Sequence, residues 1–216
     1  MRIRTLPLLA ALAGVLSLGY SRSALAEVIT FDDLTGTGGA VANGYDGLNW
    51  NNFGYLNVPD FLAENSAYSN SGYANGLIST PNVGYNESGN PASFSADGDG
   101  PFTLNSLYLS AAWNDNLSVQ ITGSLSGVTE DSETFTVSPG GPTLETLNWS
   151  DIDTVTITTS GGTPAPGEAG SGEHAVLDNI TINAGAVVTP EPASLTLLAT
   201  GLIGAAALVR RRMRHA

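Results

Sequence analysis

The sequence predicts an all-β fold, an antiparallel β-sandwich of jelly-roll type, and three observations carry that prediction. Apolar and polar residues alternate with period two in short runs, at 102–104, 117–122, 135–137 and 155–158. Clusters of Gly, Pro, Asn and Asp punctuate those runs. Between residues 27 and 188 no stretch of any length keeps the 3.6-residue period of an amphipathic helix.

In chain order, the first strand is expected at 28–31, where Val28, Ile29 and Phe31 favour extended backbone. Residues 43–90 differ in character, being rich in Asn, Gly and Tyr with little alternation. Their aromatic content argues against disorder, so ordered loops with a few short strands are expected there. A turn at 97–101 precedes a strand running to about Ala111, and a second turn at 113–116 precedes the strand at 117–122. Strands at 135–137, 144–149 and 155–158 follow, then a glycine-rich loop at 160–172 and a last strand at 175–182. One face of each strand is apolar and the other is Thr, Ser or Asn, the pattern of a sheet with a solvated outer side.

Charge is distributed very unevenly. The seven basic residues are Arg2, Arg4, Arg22, Arg210, Arg211, Arg212 and Arg214, all in the terminal segments. Of the twenty acidic residues, all but Glu191 lie between them. The body therefore has no Lys or Arg, and His174 is its one side chain able to become a cation. Such a domain repels nucleic acid phosphates and anionic lipid at long range, so no nucleic acid partner is expected. Any buried carboxylate in it must rely on backbone N–H groups, protonation or a metal ion. Cysteine is absent, so no disulfide staples the fold.

Both ends have the composition of addresses. Residues 1–26 combine a basic start (Arg2, Arg4), an apolar run at 6–18 and a small-residue exit at Ala24 and Ala26. That run is shorter than the roughly 20 residues a spanning helix needs, so a cleaved signal peptide is expected. At the other end Pro190 and Pro192 stop any β continuation, and residues 193–209 carry no charge, enough for a short transmembrane helix. Gly201 and Gly204 within it are tolerated because lipid offers the backbone no other partner. The basic cluster 210–214 is expected to stay cytoplasmic and leave the acidic body outside. A permanent tail anchor would have the same plan.

The order Pro190-Glu191-Pro192, hydrophobic helix, then Arg210, Arg211 and Arg212 resembles the PEP-CTERM sorting signal. That resemblance implies recognition by an exosortase-type peptidase in Gram-negative bacteria that make extracellular polysaccharide. It further implies transient anchoring in the inner membrane and delivery to the cell surface or the medium. The expected division is thus a signal peptide at 1–26, a β-sandwich at 27–188 and a sorting tail at 189–216. More loosely, segments 29–34, 44–50, 102–109 and 174–182 resemble exported β-sandwich domains of such proteins, which implies fold and location.

Within the body, alternation over 176–182 places Asp178 on the face of Val176, Ile180 and Ile182. This strand is similar to the last strand of jelly-roll carbohydrate-binding modules, where the acidic residue often joins a structural calcium site near the first strand. The resemblance implies Ca2+ held by Asp32, Asp33 and Asp178, with six to eight oxygens required in all. A β-bulge turning Asp178 outward, or backbone N–H groups capping its carboxylate, would serve equally. Asp97 and Asp99 alternate with glycine in an ordinary turn that lacks the rest of an EF-hand loop. Asn-x-Ser/Thr sequences at Asn86, Asn116, Asn148 and Asn179 are expected by chance in so Asn- and Thr-rich a chain.

Catalytic groups are sparse. His174 has no cysteine in the chain to activate, and Glu173 beside it points to the opposite face of a strand. A carboxylate pair could hydrolyse glycosides, but spacing does not single one out. Aromatic faces beside amides suit sugar rings, which makes Tyr45, Trp50, Tyr55 and Trp113, with Asn49, Asn51 and Asn114, the candidate ligand contacts. For Trp50 or Trp113 taken alone, a place in the core is the favoured reading. The expected function is a non-enzymatic surface or extracellular-matrix protein that binds extracellular polysaccharide, with a glycoside-active enzyme as the alternative.

Overall fold

The structure, a computed structural model, describes residues 26–98 and 100–184. Residues 1–25 of the expected signal peptide lie outside the described residues. So do Pro190, Glu191, Pro192, the apolar segment 193–209 and the arginine cluster. Among the described residues no helix is long and apolar enough to cross a membrane.

The chain begins with β1 (Glu27–Ile29) and β2 (Gly38–Ala40), then β3 (Leu48–Asn51) and β4 (Phe53–Asn57). Two short helices follow, α1 (Val58–Glu64) and α2 (Gly72–Asn75). Asn57 caps α1 by accepting from the Asp60 N–H at 3.1 Å, and Pro59 sits in its first turn, where a missing N–H costs nothing. Next come β5 (Asn82–Asn86), β6 (Ala92–Ala96), β7 (Phe102–Ala111) and β8 (Asn114–Asp115). The remaining strands are β9 (Leu117–Leu125), β10 (Val128–Val137), β11 (Thr143–Ile152), β12 (Thr154–Ser160), β13 (Thr163–Pro164) and β14 (Ala175–Ile182).

These strands form two antiparallel sheets. A seven-stranded sheet runs β11-β7-β14-β5-β4-β2, with β1 also pairing β14, and a five-stranded sheet runs β10-β9-β12-β6-β3. β8 and β13 make a separate two-stranded ribbon. The sheets pack face to face over one core, which joins Leu104, Leu107 and Leu177 of the larger sheet to Ile121, Ile157 and Phe94 of the smaller. The expected antiparallel sandwich is therefore present.

Besides α1 and α2, short helices that fall where only loops and short strands were expected, the sequence reading missed three features. β6, with its small residues Ala92, Ser93 and Ser95, has too little side-chain bulk for β-propensity to mark it. β10 extends back to Val128 through Glu130, Asp131 and Glu133, charges tolerated because β10 is an edge strand. The third is a phase change in β14. Its register against β7 slips between Asp178 and Thr181, and Asn179 takes a left-handed φ of 48°. Asparagine tolerates that conformation. As a result Leu177, Ile180 and Ile182 join the inter-sheet core, whereas Val176 belongs to a second apolar cluster. The strict alternation expected for residues 176–182 is broken by this bulge, so Asp178 does not share the core face with Ile180 and Ile182.

The outer faces of the two sheets differ. On the larger sheet, Val176, Val83 and Tyr73 are buried, with Leu56, Phe61, Leu62 and Tyr68 packed against them, so α1 and α2 roof that surface. On the smaller sheet the outward positions are hydroxyls and amides. One row across the strands is Asn51, Ser93, Thr156, Thr122 and Ser132, and the next is Asn49, Ser95, Thr154, Ser124 and Thr129. All of them are half-buried or exposed.

Candidate functional site

The four aromatics expected to contact ligand fall into two separate places. Trp50 is 5% exposed and lies at the centre of the core, edge-on to Phe31 (5.6 Å) and Phe53 (5.1 Å). Its indole Nε1 donates to the Tyr45 carbonyl at 2.9 Å. Tyr55 is also buried, with its hydroxyl donating to the Thr35 carbonyl. Trp113 belongs to the second cluster, edge-on to Tyr68 (5.1 Å) and Tyr73 (5.3 Å). Its ring is covered by the loop at Gly170, where any added Cβ would collide with it. Trp50, Tyr55 and Trp113 are thus structural here. Truncating Trp50 to Ala would cost about 3–5 kcal/mol of stability through lost packing.

Tyr45 alone of the four is half-exposed. Its hydroxyl donates to Asp33 Oδ1 at 2.7 Å. Burial, that hydrogen bond and the nearby charge of Asp46 all raise the phenol well above its ordinary range. Burial and the Asp33 charge likewise raise the Asp46 carboxyl, and Glu27 is raised by burial and by Asp46. This end of the sandwich is an acidic corner in which Tyr45 serves as a hydrogen-bond donor.

The three carboxylates expected to share a metal have separate partners. Asp178 is fully buried, and its Oδ2 accepts from the backbone N–H of Ile78 (2.7 Å) and of Ser79 (2.9 Å). Its Oδ1 accepts from the Asn179 N–H at 2.7 Å and from the Ser79 hydroxyl at 3.1 Å. Burial pushes this carboxyl above the usual carboxylate range, and the hydrogen bonds from Ser79, Ile78 and Asn179 oppose that shift. Asp32 Oδ1 instead accepts from the Asn82 N–H at 2.9 Å, and Asp33 is taken by Tyr45. Among the described residues no three His, Cys, Asp or Glu gather as metal ligands would.

Asn82 is the residue that sequence reasoning missed at this end. It is fully buried, and its Nδ2 donates to the carbonyls of Phe31 (2.6 Å) and Leu34 (2.8 Å). It thereby clamps a turn in which Phe31 takes an unfavourable φ of 62°. Its Oδ1 has no hydrogen-bond partner, an uncommon state for a buried amide oxygen. Nothing in the residues around position 82 signals this role.

The second overlooked group surrounds His174. Its Nδ1 lies 2.7 Å from the Tyr73 hydroxyl, and its ring stacks on Tyr85 with centroids 6.0 Å apart. Burial lowers the imidazole below its ordinary range, which favours the neutral ring at pH 7, and the Tyr73 hydroxyl and Nδ1 share one hydrogen bond. Glu173 beside it is engaged elsewhere, accepting from the Gly161 N–H at 2.7 Å.

The described residues thus form a mostly β antiparallel sandwich. Residues 188–212 match the PEP-CTERM protein-sorting motif, so the chain carries the signal of an exported protein processed by exosortase. No curated protein matches the chain in sequence. Among solved structures, a DUF4465 family protein from Bacteroides caccae superposes with a TM-score of 0.55 at 12% identity, covering 74% of this chain and 99% of that one. A DUF4465 family protein from Bacteroides ovatus gives a TM-score of 0.41 at 10% identity, over 73% of this chain and 93% of the other. The first of these similarities supports the sandwich fold.

His174 supplies a pH test. Its folded pKa lies below the ordinary 6.5, so the stability it contributes is complete above that value and lost as pH falls through the folded pKa. Asp46 and Asp178, raised by burial, act in the opposite sense, contributing most at low pH. The melting temperature of His174→Gln should therefore fall less than that of the wild type between pH 7 and pH 5. Parallel melting curves across that interval would refute the assignment.

Proposed function

We propose that this protein is a non-enzymatic component of the cell surface or extracellular matrix, sorted by its C-terminal tail and binding extracellular polysaccharide through its sandwich. The observation that carries the reading is the PEP-CTERM motif at 188–212, which marks the chain for export. The composition of the body supports it, since twenty acidic residues in the chain and no Lys or Arg between Arg22 and Arg210 exclude polyanions as natural partners. In this reading residues 1–26 are removed during export, 27–188 form the delivered body, and 193–209 hold it in the inner membrane until processing. The direct test combines location and binding. Replacing Pro190, Glu191 and Pro192 with alanine should leave the protein in the membrane fraction, whereas the wild type reaches the surface or the medium. Released wild-type protein should then co-sediment with the producing cell's own exopolysaccharide. Identical fractionation of the two forms would remove the sorting half of the proposal, and a lack of co-sedimentation would remove the binding half.

A second reading concerns a structural calcium ion, and one observation favours it. The unpartnered Asn82 Oδ1 belongs to a residue whose backbone N–H bonds Asp32 Oδ1 at 2.9 Å. A hard cation there would take the amide oxygen and the Asp32 carboxylate as ligands and complete its shell from carbonyls and water. Asp178, already surrounded by N–H donors, is not part of this donor set. Bound calcium would stabilise the native state by about 2.7 kcal/mol at a hundredfold excess over Kd. Melting curves in calcium and in chelator should then differ by several degrees, and the difference should vanish in Asn82→Ala. Superimposable wild-type curves would dispose of the ion.

A further inference from the structure

The open face of the five-stranded sheet carries an inference that rests on the polysaccharide reading and gives it a location. Every paired outward position of β3, β6, β12, β9 and β10 is Ser, Thr, Asn or Gln. Strand pairing places neighbours in a row about 4.8 Å apart, and successive rows along a strand lie about 6.7 Å apart. The groups also touch one another. Ser132 Oγ lies 3.3 Å from Thr122 Oγ1 and 3.3 Å from Gln120 Nε2. Threonine is stiff about χ1 in a strand, so these hydroxyls are held in place before any ligand arrives.

The charges around this face identify the occupant. No carboxylate occupies a paired outward position, although the body holds all but one of the chain's twenty acidic residues. Acidic groups lie near one end of the rows, where Asp97 accepts from Asn49 and Asp153 from Thr154. Asp131 and Glu133 of β10 pair with Gly123 and Ile121 and so belong to the other face of that edge strand. A polyanion would be repelled by the acidic groups at the end of the rows and would find no Lys or Arg on the body. A second copy of this chain, or another protein, would need an apolar or aromatic centre to its contact, and these rows contain none. Sheet twist, roughly 20–25° from strand to strand, also disfavours a flat crystalline surface. A single neutral polyhydroxylated chain meets all of these conditions. Each Ser and Thr hydroxyl both donates and accepts, as sugar hydroxyls do, and a flexible chain can follow the twist.

We propose that the hydroxyl-and-amide face of the five-stranded sheet, centred on Thr122 and Thr156, binds a neutral polysaccharide chain. The test is affinity electrophoresis of the full chain through gels containing dextran, galactomannan or hydroxyethyl cellulose, with alginate as the polyanion. Two double variants accompany the wild type: Thr122→Glu with Thr156→Glu adds charge, and Thr122→Val with Thr156→Val removes the hydroxyls while keeping shape and β-propensity. At least one neutral polymer should retard the wild type, alginate should not, and both variants should lose affinity at least tenfold while melting near the wild-type temperature. Equal retardation of wild type and both variants would overturn this face and leave the broader polysaccharide reading standing. Retardation by alginate as strong as by the neutral polymers would overturn the charge argument. Co-sedimentation with the cell's own exopolysaccharide, but no retardation by any neutral polymer, would overturn this inference alone. Failure of both assays would remove it together with the polysaccharide reading.

Discussion

A body with many carboxylates and no Lys or Arg cannot use ion pairs, and that constraint shapes most of the polar structure. Buried Asp178 and several structural carboxylates are met by neutral donors. Asp178 is held by the N–H groups of Ile78, Ser79 and Asn179, and Asp32 by that of Asn82. Asp153 accepts from the Ser126 N–H at 2.7 Å, and Asp97 from Asn49 Nδ2 at 3.1 Å. Asparagine takes over where a charged clamp would otherwise serve. Buried Asn86 receives the Ala175 N–H at 2.7 Å and donates to Thr159 Oγ1 at 3.1 Å, tying a strand of the larger sheet to one of the smaller. These bonds weaken little with salt, unlike surface ion pairs.

The same constraint separates what could be read in the sequence from what could not. Period-two alternation located β7, β9, β12 and β14 because each lies inside a sheet with one face on the core. β10 was legible only at Phe135 and Val137, since the rest of that edge strand buries little. The phase change at Asn179 was not legible, because a bulge depends on the neighbouring strand's register rather than on local pattern. It moved Asp178 away from the inter-sheet core and into contact with the loop at Ile78 and Ser79, a hundred residues away in sequence. Trp50, Tyr55 and Trp113 were ambiguous for a related reason. Aromatic residues among amides suit a sugar platform and a core equally, and only tertiary packing decides between them.

The two outer faces of the sandwich are treated unequally. The larger sheet hides an apolar surface beneath α1 and α2, with Tyr73, Trp113 and His174 interlocked there. The smaller sheet leaves its hydroxyl rows open. The proposed binding of a neutral polysaccharide rests on this open, uncharged face. The tail that delivers it holds four of the chain's arginines, Arg210, Arg211, Arg212 and Arg214. In the proposed reading, removal of both terminal segments would leave a body with no Lys or Arg.

The central claim, that neutral donors replace cations around buried carboxylates, is tested most directly at Asp178. Amide hydrogen exchange resolved at Ile78 and Ser79 should show both N–H groups protected in the wild type. In Asp178→Ala both should exchange much faster while the core amides of β9 and β12 stay protected. Unchanged protection of Ile78 and Ser79 in Asp178→Ala would contradict the account, because their donors would then be satisfied by something other than this carboxylate.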